Sequence, residues 1–162
     1  KNINQISATG VIFSGVIYPK RESLVNALEN IILVERLGPA YNKPFDKPKS
    51  YLSKKHLFCI CPENSIREGY CSEKAIEAYF SGYIPIYWNH PNNVKGILNP
   101  LAYINLYGLT NKQIENKIKL LLRDNELVKR MYEEPLFDEK FDIENVMQIF
   151  DLQLVEWLKT YT

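Results

Sequence analysis

Short apolar runs separated by polar segments are the main pattern of this chain of 162 residues. The runs lie in residues 8–17, 31–34, 57–61, 83–88 and 103–106. Short apolar runs bounded by turn-forming residues are typical of buried β-strands. We therefore predict a sheet whose strands alternate with the helices described next.

Helical patterns lie between these runs. Residues 22–29 have leucines four positions apart on one face. Residues 73–81 form a second predicted helix, with Ser72 as its N-cap and Gly82 as its C-terminal stop. Three prolines in residues 38–50 predict a loop there.

The C-terminal part, about residues 107–162, is predicted to be helical. Thr110 and Gln113 match a capping box at the start of one helix. A second helix is predicted over residues 125–133, and a third over residues 143–161 with an apolar stripe on one face. Such a stripe predicts packing against the core or against a neighbouring domain.

The alternation of strands and helices predicts an α/β fold, a Rossmann-like parallel sheet with helices on both faces. We expect residues 1–162 to form a single domain, since no internal repeat or low-complexity linker is visible. Ligands of such sheets bind beyond the carboxyl ends of the strands. The segments 61–71 and 88–99 follow two predicted strands, so we expect them at the functional edge of the sheet.

The composition is ordinary for a globular protein. Hydrophobic residues make up 46% of the chain and charged residues 24%, and the net charge of +1 creates no strong field that would recruit nucleic acid or a membrane surface. No apolar run reaches the roughly 18 residues of a membrane-spanning helix. Because the chain starts at Lys1, close to a predicted strand, we expect it to be part of a longer protein.

Three cysteines and a nearby histidine raise the question of a metal site. Cys59, Cys61 and Cys71 are too few, and odd in number, for a disulfide framework. Their spacing with His56 matches no common zinc-finger pattern. Since Cys59 and Cys61 lie two apart within a predicted strand, we favour the interpretation that they are small hydrophobic residues of the core.

Charged residues are concentrated where helices are predicted to begin. The free N–H groups and the positive dipole end of a helix start attract anions, and Lys74 adds a charge there that helix stability does not favour. Arg21 has a similar position at the start of the first helix. Two such cations would suit a diphosphate. The alternative for Lys74 is a solvated surface lysine.

Neighbouring polar residues are candidates for the rest of a nucleotide site. Glu73 could accept hydrogen bonds from both hydroxyls of a ribose, or only stabilise the helix start. Asn64 could bind sugar or phosphate, or form an Asx-turn. Tyr70 could donate its hydroxyl to phosphate, or only pack. The same segment contains three possible additional contacts, which are Glu63, Ser65 and Ser72.

Signatures of other enzyme classes are absent from the sequence. No G-x-S-x-G nucleophile elbow, Walker loop or G-x-G-x-x-G fingerprint occurs. The two histidines, His56 and His90, have no accompanying pattern that would indicate nucleophilic catalysis.

The motifs of residues 63–100 together resemble the signature of the α-1,3-fucosyltransferases, glycosyltransferase family 10. The family pattern is Glu-Asn-Ser/Thr, then Tyr-x-Thr/Ser-Glu-Lys, Ile-Pro-Ile-Tyr-Trp-Gly and Asn-Pro. The chain has Glu-Asn-Ser at 63–65, Tyr-Cys-Ser-Glu-Lys at 70–74, Ile-Pro-Ile-Tyr-Trp at 84–88 and Asn-Pro at 99–100. Order and spacing agree, and the resemblance extends over about residues 11–105.

The resemblance implies a two-domain GT-B enzyme of which this chain is the C-terminal, GDP-fucose-binding domain. Arg21 and Lys74 would bind the diphosphate, Glu73 the ribose, and Asn64 and Tyr70 phosphate or sugar. The implied reaction is an inverting transfer of L-fucose from GDP-β-L-fucose to a hydroxyl of a glycan, with no metal ion or other cofactor required. The general base would be a glutamate of an N-terminal acceptor domain absent from this sequence, so we expect the chain alone to be inactive.

The sequence departs from the family pattern at a few positions. Asn89 replaces the glycine that follows Trp88, Pro62 replaces an apolar or aromatic residue, and Ala102 replaces a serine. Ser72 keeps the hydroxyl of the usual threonine. We expect Asn89 to add a side chain at the edge of the site, where it would affect the choice of donor sugar.

Two alternatives are a family member that uses another nucleotide sugar and a nucleotide-binding or interaction module without transferase activity. The expected partners are GDP-fucose and, through the missing domain, a glycan acceptor such as that of lipopolysaccharide, and no nucleic acid. Bacterial family members act in the cytoplasm or peripherally on the inner membrane, and eukaryotic ones in the Golgi lumen. The Lys-, Asn- and Ile-rich composition favours the bacterial location.

Overall fold

The computed structural model describes residues 6–142 and residue 144, in which strands and helices alternate as predicted. The elements follow in the order β1 (Ser7–Phe13), α1 (Pro19–Glu29), β2 (Val34–Leu37), β3 (His56–Pro62), α2 (Lys74–Phe80), β4 (Ile84–Trp88), β5 (Ile104–Asn105), α3 (Asn111–Leu122) and α4 (Asn125–Glu133). The helix predicted over residues 143–161 lies outside the described residues.

The strands form one five-stranded sheet in the order β2-β1-β3-β4-β5. Each neighbouring pair is parallel, and β3 and β4 pair from Phe58 opposite Ile84 to Pro62 opposite Trp88. Parallel strands need a crossover between them, so their carboxyl ends meet at one edge of the sheet. This edge is where the sequence predicts a ligand.

Helices cover both faces of the sheet because side chains alternate along each strand. Phe58 and Ile60 of β3 belong to an aliphatic core with α1, α3 and α4. Cys59 and Cys61 belong to a second core on the opposite face, with the alanines of α2 and the tyrosines near β4. The predicted α/β fold with helices on both faces is therefore confirmed.

β1 is shorter than the apolar pattern predicted. The strand ends at Phe13, and Val16 and Ile17 are 56% and 55% exposed instead of continuing it. The N–H of Ser14 still donates to the carbonyl of Leu37 in β2 at 2.9 Å, and the chain turns just after it, where the Ser14 hydroxyl donates to the carbonyl of Val16 at 2.7 Å. The connection from β1 to α1 therefore crosses the carboxyl edge of the sheet.

β2 starts only at the last residue of the apolar run 31–34 that indicated it, and continues to Leu37. The strand contains Glu35 and Arg36, which an apolar pattern cannot detect. Charged side chains suit this position because β2 is at the edge of the sheet and open to solvent. Arg36 donates to Glu22 at 2.6 Å and to Glu29 at 2.7 Å, which ties the edge strand to α1.

The C-terminal helices match the sequence closely. Thr110 and Gln113 form the predicted capping box at the start of α3. α4 has the predicted bounds and ends before Pro135. β5 is shorter than the apolar run of residues 103–106, because only Ile104 and Asn105 pair with β4.

Candidate functional site

Arg21 lies in the first turn of α1, at the carboxyl end of β1, and is only 8% exposed. Its Nη1 donates to the carbonyl of Val16 at 2.8 Å and to the hydroxyl of Ser14, and its Nη2 donates to Oδ1 of Asn64. Its Nε is buried and has no hydrogen-bond partner within the described part of the chain. The groups that hold this buried cation in the described part of the chain are neutral, so it retains an attraction for an anion.

Lys74 is the first residue of α2 and lines the same small cavity as Arg21. Its Nζ lies 3.1 Å from Oε2 of Glu63 and 3.1 Å from Oγ of Ser72. Its side chain is partly exposed, so the ammonium can contact a ligand while Glu63 and Ser72 hold it in position. The two cations that the sequence singled out therefore line one cavity, which we call the cleft.

Glu63 is the buried counter-charge of Lys74. Its side chain is 0% exposed, and its carboxylate accepts hydrogen bonds from the hydroxyl of Tyr87 at 2.6 Å and the N–H of Ser72 at 2.9 Å. Burial alone would raise the pKa of Glu63, but the donors on Tyr87, Ser72 and Lys74 together lower it below its usual value. The carboxylate is therefore ionised, and its contacts orient the ammonium of Lys74.

Ser72 does not cap α2, contrary to the sequence-based prediction. The N-cap of α2 is Glu73, whose side chain makes no capping hydrogen bond. The hydroxyl of Ser72 points to Glu63 instead, at 2.7 and 2.8 Å from its two oxygens. The Ser72 hydroxyl is therefore one of the hydrogen-bond donors to the buried carboxylate. Gly82 follows the helix with φ 90°, as predicted for a C-terminal stop.

The other predicted contacts are not among the residues that line this cavity. Asn64 is exposed, and its amide oxygen accepts from Arg21. Glu73 and Tyr70 are exposed, and Ser65 is half-buried. No side-chain hydrogen bond of Glu73, Tyr70 or Ser65 occurs within the described residues, so a ligand would displace no such bond at these three side chains.

Asn89 does not reach the edge of the site, and the expectation that it would is wrong. It is 0% exposed. Its Nδ2 donates to the carbonyl of Tyr70 and the hydroxyl of Tyr87, both at 2.9 Å, and its Oδ1 accepts from Asn93 at 2.8 Å. These three contacts need a polar side chain in the interior, and they tie the segment before α2 to the end of β4.

Lys49 is a third cation of the cleft, and sequence reasoning missed it. It lines the cavity of about 30 Å³ that Arg21 and Lys74 also line. Its ammonium pairs with Glu77 of α2 and lies 5.5 Å from the ring centre of Phe13. The surrounding loop contains several lysines at similar spacing, so no sequence signal distinguishes this one.

The cysteines behave as core residues. Cys59 and Cys61 are buried with their sulfur atoms 3.7 Å apart, and the hydrogen bond from the Cys61 thiol to Cys59, together with burial, raises the pKa of Cys61. Across residues 6–142 and 144, no group of three or more His, Cys, Asp or Glu side chains is arranged to hold a metal ion. No helix in that part of the chain is long and apolar enough to span a membrane.

A Rossmann-like parallel sheet with three cations at its carboxyl edge is the arrangement expected of a domain that binds a phosphorylated ligand. Residues 9–148 match the family model for the C-terminal part of glycosyltransferase family 10 (fucosyltransferase). The chain belongs to this family, and the resemblance found in the sequence motifs is confirmed.

Relatives from sequence and structure agree with this assignment. The chain is 37% identical over 125 residues to the alpha-(1,3)-fucosyltransferase FucT of Helicobacter pylori, which covers 73% of this chain and 25% of the relative. Crystal structures of alpha1,3-fucosyltransferase with GDP and with GDP-fucose match with a TM-score of 0.74 and 25% identity, over 89% and 90% of this chain and 46% of theirs. The chain thus spans a quarter of the curated relative and less than half of these structures.

Proposed function

We propose that this chain is the donor-binding part of an inverting α-1,3-fucosyltransferase that uses GDP-β-L-fucose. The main support from the structure is Arg21, a buried guanidinium whose Nε has no partner among residues 6–142 and 144 and which lines the same cavity as Lys74. The family assignment supplies the chemical identity of the donor. The crystal structure with GDP-fucose that resembles this chain adds support.

Arg21 and Lys74 would bind the diphosphate of the donor. When the bond between fucose C1 and the diphosphate oxygen breaks, negative charge develops on the leaving GDP. Cations already held in position stabilise that charge at no further cost in reorganisation. Glu63 acts on the reaction through Lys74, and Asn64 acts through Arg21, so both would be positioning residues.

Glu73 and Tyr70, both exposed in the segment just before α2, would contact the donor directly. The exposed carboxylate of Glu73 is suited to accept hydrogen bonds from both ribose hydroxyls. The exposed hydroxyl of Tyr70 would donate to phosphate or to the sugar. Ser65 and Ser72 differ in this respect, because the hydroxyl of Ser72 already donates to Glu63, whereas the hydroxyl of Ser65 makes no hydrogen bond within the described residues.

The transfer also needs a base, which we place outside this sequence. An acceptor hydroxyl loses its proton to a general base as its oxygen bonds to fucose C1 and GDP leaves. We propose that this base and the glycan-binding surface belong to an N-terminal acceptor domain. The chain alone would then bind the donor without transferring fucose. A bacterial cytoplasmic or inner-membrane-associated location would suit such an enzyme.

Calorimetric titration of the folded protein with GDP, GDP-fucose, GDP-mannose and UDP tests this proposal. We expect the guanine nucleotides to bind and UDP not to bind, and GDP-fucose to bind more tightly than GDP-mannose. Lys74→Ala should weaken GDP binding by about 30-fold or more, the effect of truncating one partner of a desolvated charge pair. Lys129→Ala, on the exposed surface of α4, is the matched control. A folded protein that binds no GDP would contradict the proposal.

A further inference from the structure

Residues 67–72 lead into α2 and form neither a helix nor a strand. The polar groups of such a backbone need hydrogen-bond partners outside regular secondary structure. One bond lies within the segment, from the N–H of Tyr70 to the carbonyl of Arg67 at 3.1 Å. Side chains that follow β3 and β4 supply four further bonds to its backbone. The position of residues 67–72, which we call the Tyr70 segment, is therefore set from the interior of the fold.

Asn93 holds two backbone groups of the Tyr70 segment at once. It is 8% exposed, its Nδ2 donates to the carbonyl of Arg67 at 2.8 Å, and its Oδ1 accepts from the N–H of Gly69 at 3.0 Å. An amide side chain carries a donor and an acceptor on one short planar group, so a single residue can bind both. Asn93 therefore closes the turn that precedes Tyr70.

Asn89 uses all of its hydrogen-bonding capacity. Besides its two bonds to Tyr70 and Tyr87, its Oδ1 accepts from Nδ2 of Asn93 and from the N–H of His90, both at 2.8 Å. An amide side chain has two donor hydrogens and two acceptor lone pairs, so no group is left over. The glycine that the family pattern has at this position could make none of these side-chain bonds. A buried amide with every group satisfied fixes its neighbours in one arrangement.

The same amide is connected to Lys74 through two intermediate residues. The hydroxyl of Tyr87 accepts from Asn89, which leaves its own hydrogen to be donated to Glu63 at 2.6 Å. The carboxylate of Glu63 in turn lies 3.1 Å from Nζ of Lys74. Hydrogen bonds aligned in a chain strengthen one another. One network therefore contacts the Tyr70 segment at one end and the ammonium of Lys74 at the other.

We propose that Asn89 and Asn93 are positioning residues, which hold Tyr70 and Lys74 in place for the donor without contacting it themselves. The inference rests on the proposed function, which makes Tyr70 and Lys74 contacts of GDP-fucose. Groups that are held in place before a ligand arrives lose less conformational freedom when it binds. Removal of either asparagine should then lower donor affinity, although no direct contact to the donor is lost.

A double-mutant cycle separates this positioning role from a purely structural one. A structural role lowers the free energy of unfolding and leaves the affinity of the folded protein unchanged. A positioning role makes the effect of Tyr70 on affinity depend on Asn93, and such dependence is measured as non-additivity. The four proteins to compare are the unaltered protein, Asn93→Ala, Tyr70→Phe and the double variant.

Calorimetric titration with GDP-fucose measures the cycle. We expect Asn93→Ala and Tyr70→Phe each to weaken binding by about 5- to 10-fold, which is the effect of one hydrogen bond. In the Asn93→Ala background, Tyr70→Phe should cost less than about 2-fold, because the hydroxyl is no longer held in position. Additive effects would overturn the proposal, and so would an unchanged affinity in folded Asn93→Ala or Tyr70→Phe.

Asn99→Ala is the matched control. Asn99 also binds two backbone groups, since its Nδ2 donates to the carbonyl of Pro135 at 2.9 Å and its Oδ1 accepts from the N–H of Leu101 at 3.0 Å. None of these three residues lines the cleft. Asn99→Ala should lower the free energy of unfolding as Asn93→Ala does, and leave GDP-fucose affinity unchanged. A similar loss of affinity would mean that the titration only follows stability, and the proposal would be wrong.

Asn89→Gly tests the connection to Lys74. We expect it to weaken GDP binding by about 10-fold, since the hydroxyl of Tyr87 then loses the donor that orients it towards Glu63. The same change in the Lys74→Ala background should cost at most about 3-fold, because the ammonium that the network orients is already absent. Equal losses in the two backgrounds would overturn the connection.

Amide hydrogen exchange of the unaltered protein provides a test that needs no variant. The N–H of Gly69 should be protected from exchange without ligand, because it donates to Asn93. Saturation with GDP-fucose should then change its exchange rate by less than about 3-fold. A Gly69 amide that exchanges freely until GDP-fucose is added would overturn the proposal, even if the asparagine variants failed to fold.

The outcomes distinguish this proposal from the proposed function. If the folded unaltered protein binds neither GDP nor GDP-fucose, the proposed function is wrong and the positioning role is wrong with it. If it binds GDP-fucose while the cycle is additive or Gly69 is unprotected, only the positioning role is wrong.

Discussion

The two faces of the central strand β3 differ in chemistry, and the difference separates folding from ligand binding. One face places Phe58 and Ile60 in an aliphatic core with α1, α3 and α4. The other places Cys59 and Cys61 against α2 and two tyrosines, Tyr83 and Tyr87. The first core contains only hydrocarbon side chains, whereas the second contains hydroxyl groups that reach the candidate site.

Tyr83 and Tyr87 of the second core each support one lysine of the cleft. Tyr83 donates to the carbonyl of Lys49 at 2.5 Å, and Tyr87 donates to Glu63, the partner of Lys74, at 2.6 Å. Burial raises the pKa of both phenols, so their hydroxyls stay protonated and remain donors. We therefore expect the aliphatic face to govern stability alone, and the tyrosine face to govern stability and nucleotide affinity together.

The largest effect is expected on the aliphatic face. Ile118→Ala removes a fully buried side chain of α3, and the lost contacts and the remaining cavity should lower the free energy of unfolding by about 2–5 kcal/mol. Urea unfolding measures this loss, and calorimetry under folding conditions should find GDP affinity unchanged. If the fully folded variant bound GDP more weakly, the proposal that the aliphatic face governs stability alone would be contradicted.

Tyr87→Phe is expected to have a smaller effect on stability, and to lower GDP affinity as well. The change keeps the ring and removes the hydrogen bond to the buried carboxylate of Glu63, which should cost about 1.5–3 kcal/mol of stability. GDP affinity should also fall, because Glu63 then holds Lys74 less firmly. Tyr103→Phe is the control: this buried tyrosine makes no hydroxyl hydrogen bond within the described residues. Unchanged GDP affinity in Tyr87→Phe would remove the link between the tyrosine face and the site.

The smallest effect concerns the pH dependence of stability. The hydrogen-bonded Glu63 has a lowered pKa in the folded protein. Its stabilising contribution is therefore complete above the ordinary glutamate pKa of about 4.3 and is lost as the pH falls through the lower folded value. Thermal unfolding between about pH 7 and pH 3 should show a shallower acid decline for Glu63→Gln than for the unaltered protein.

Glu35 also has a lowered pKa, through Lys55, and Glu35→Gln provides the comparison at the opposite end of β3. Equal acid slopes for Glu63→Gln and the unaltered protein would contradict the ionised state of Glu63.

The sequence predicted the aliphatic face well because packing there follows simple periodicity. Strand β3 and helix α4 appeared where apolar spacing placed them, and the capping box of α3 followed from Thr110 and Gln113. The edge strand β2 and the end of β1 were misplaced. Their boundaries depend on ion pairs of Arg36 and on the turn at Ser14, which have no periodic signal.

The sequence predicted which residues belong to the site better than it predicted how they are arranged. Arg21 and Lys74 were found because both stand at helix starts, and they line one cavity. Glu63 was expected to face a ligand, yet its neighbours in space, Tyr87 and Ser72, bury it. Asn89 was misplaced for the same reason, since its partners come from segments distant in the sequence. Hydrogen-bond partners chosen across the fold cannot be deduced from local spacing.

The order of the strands has a consequence for the rate at which the site is lost. Arg21 and Asn64 are 43 residues apart in the chain, and Glu63 and Tyr87 are 24 apart, so both contacts require closed crossovers between parallel strands. We expect these polar side-chain contacts to form after the main folding barrier, once the sheet that brings their partners together is assembled. Substitutions at the site should then leave the folding rate almost unchanged and accelerate unfolding, which stopped-flow kinetics would detect. The cleft would therefore control the lifetime of the folded state more than the rate of folding.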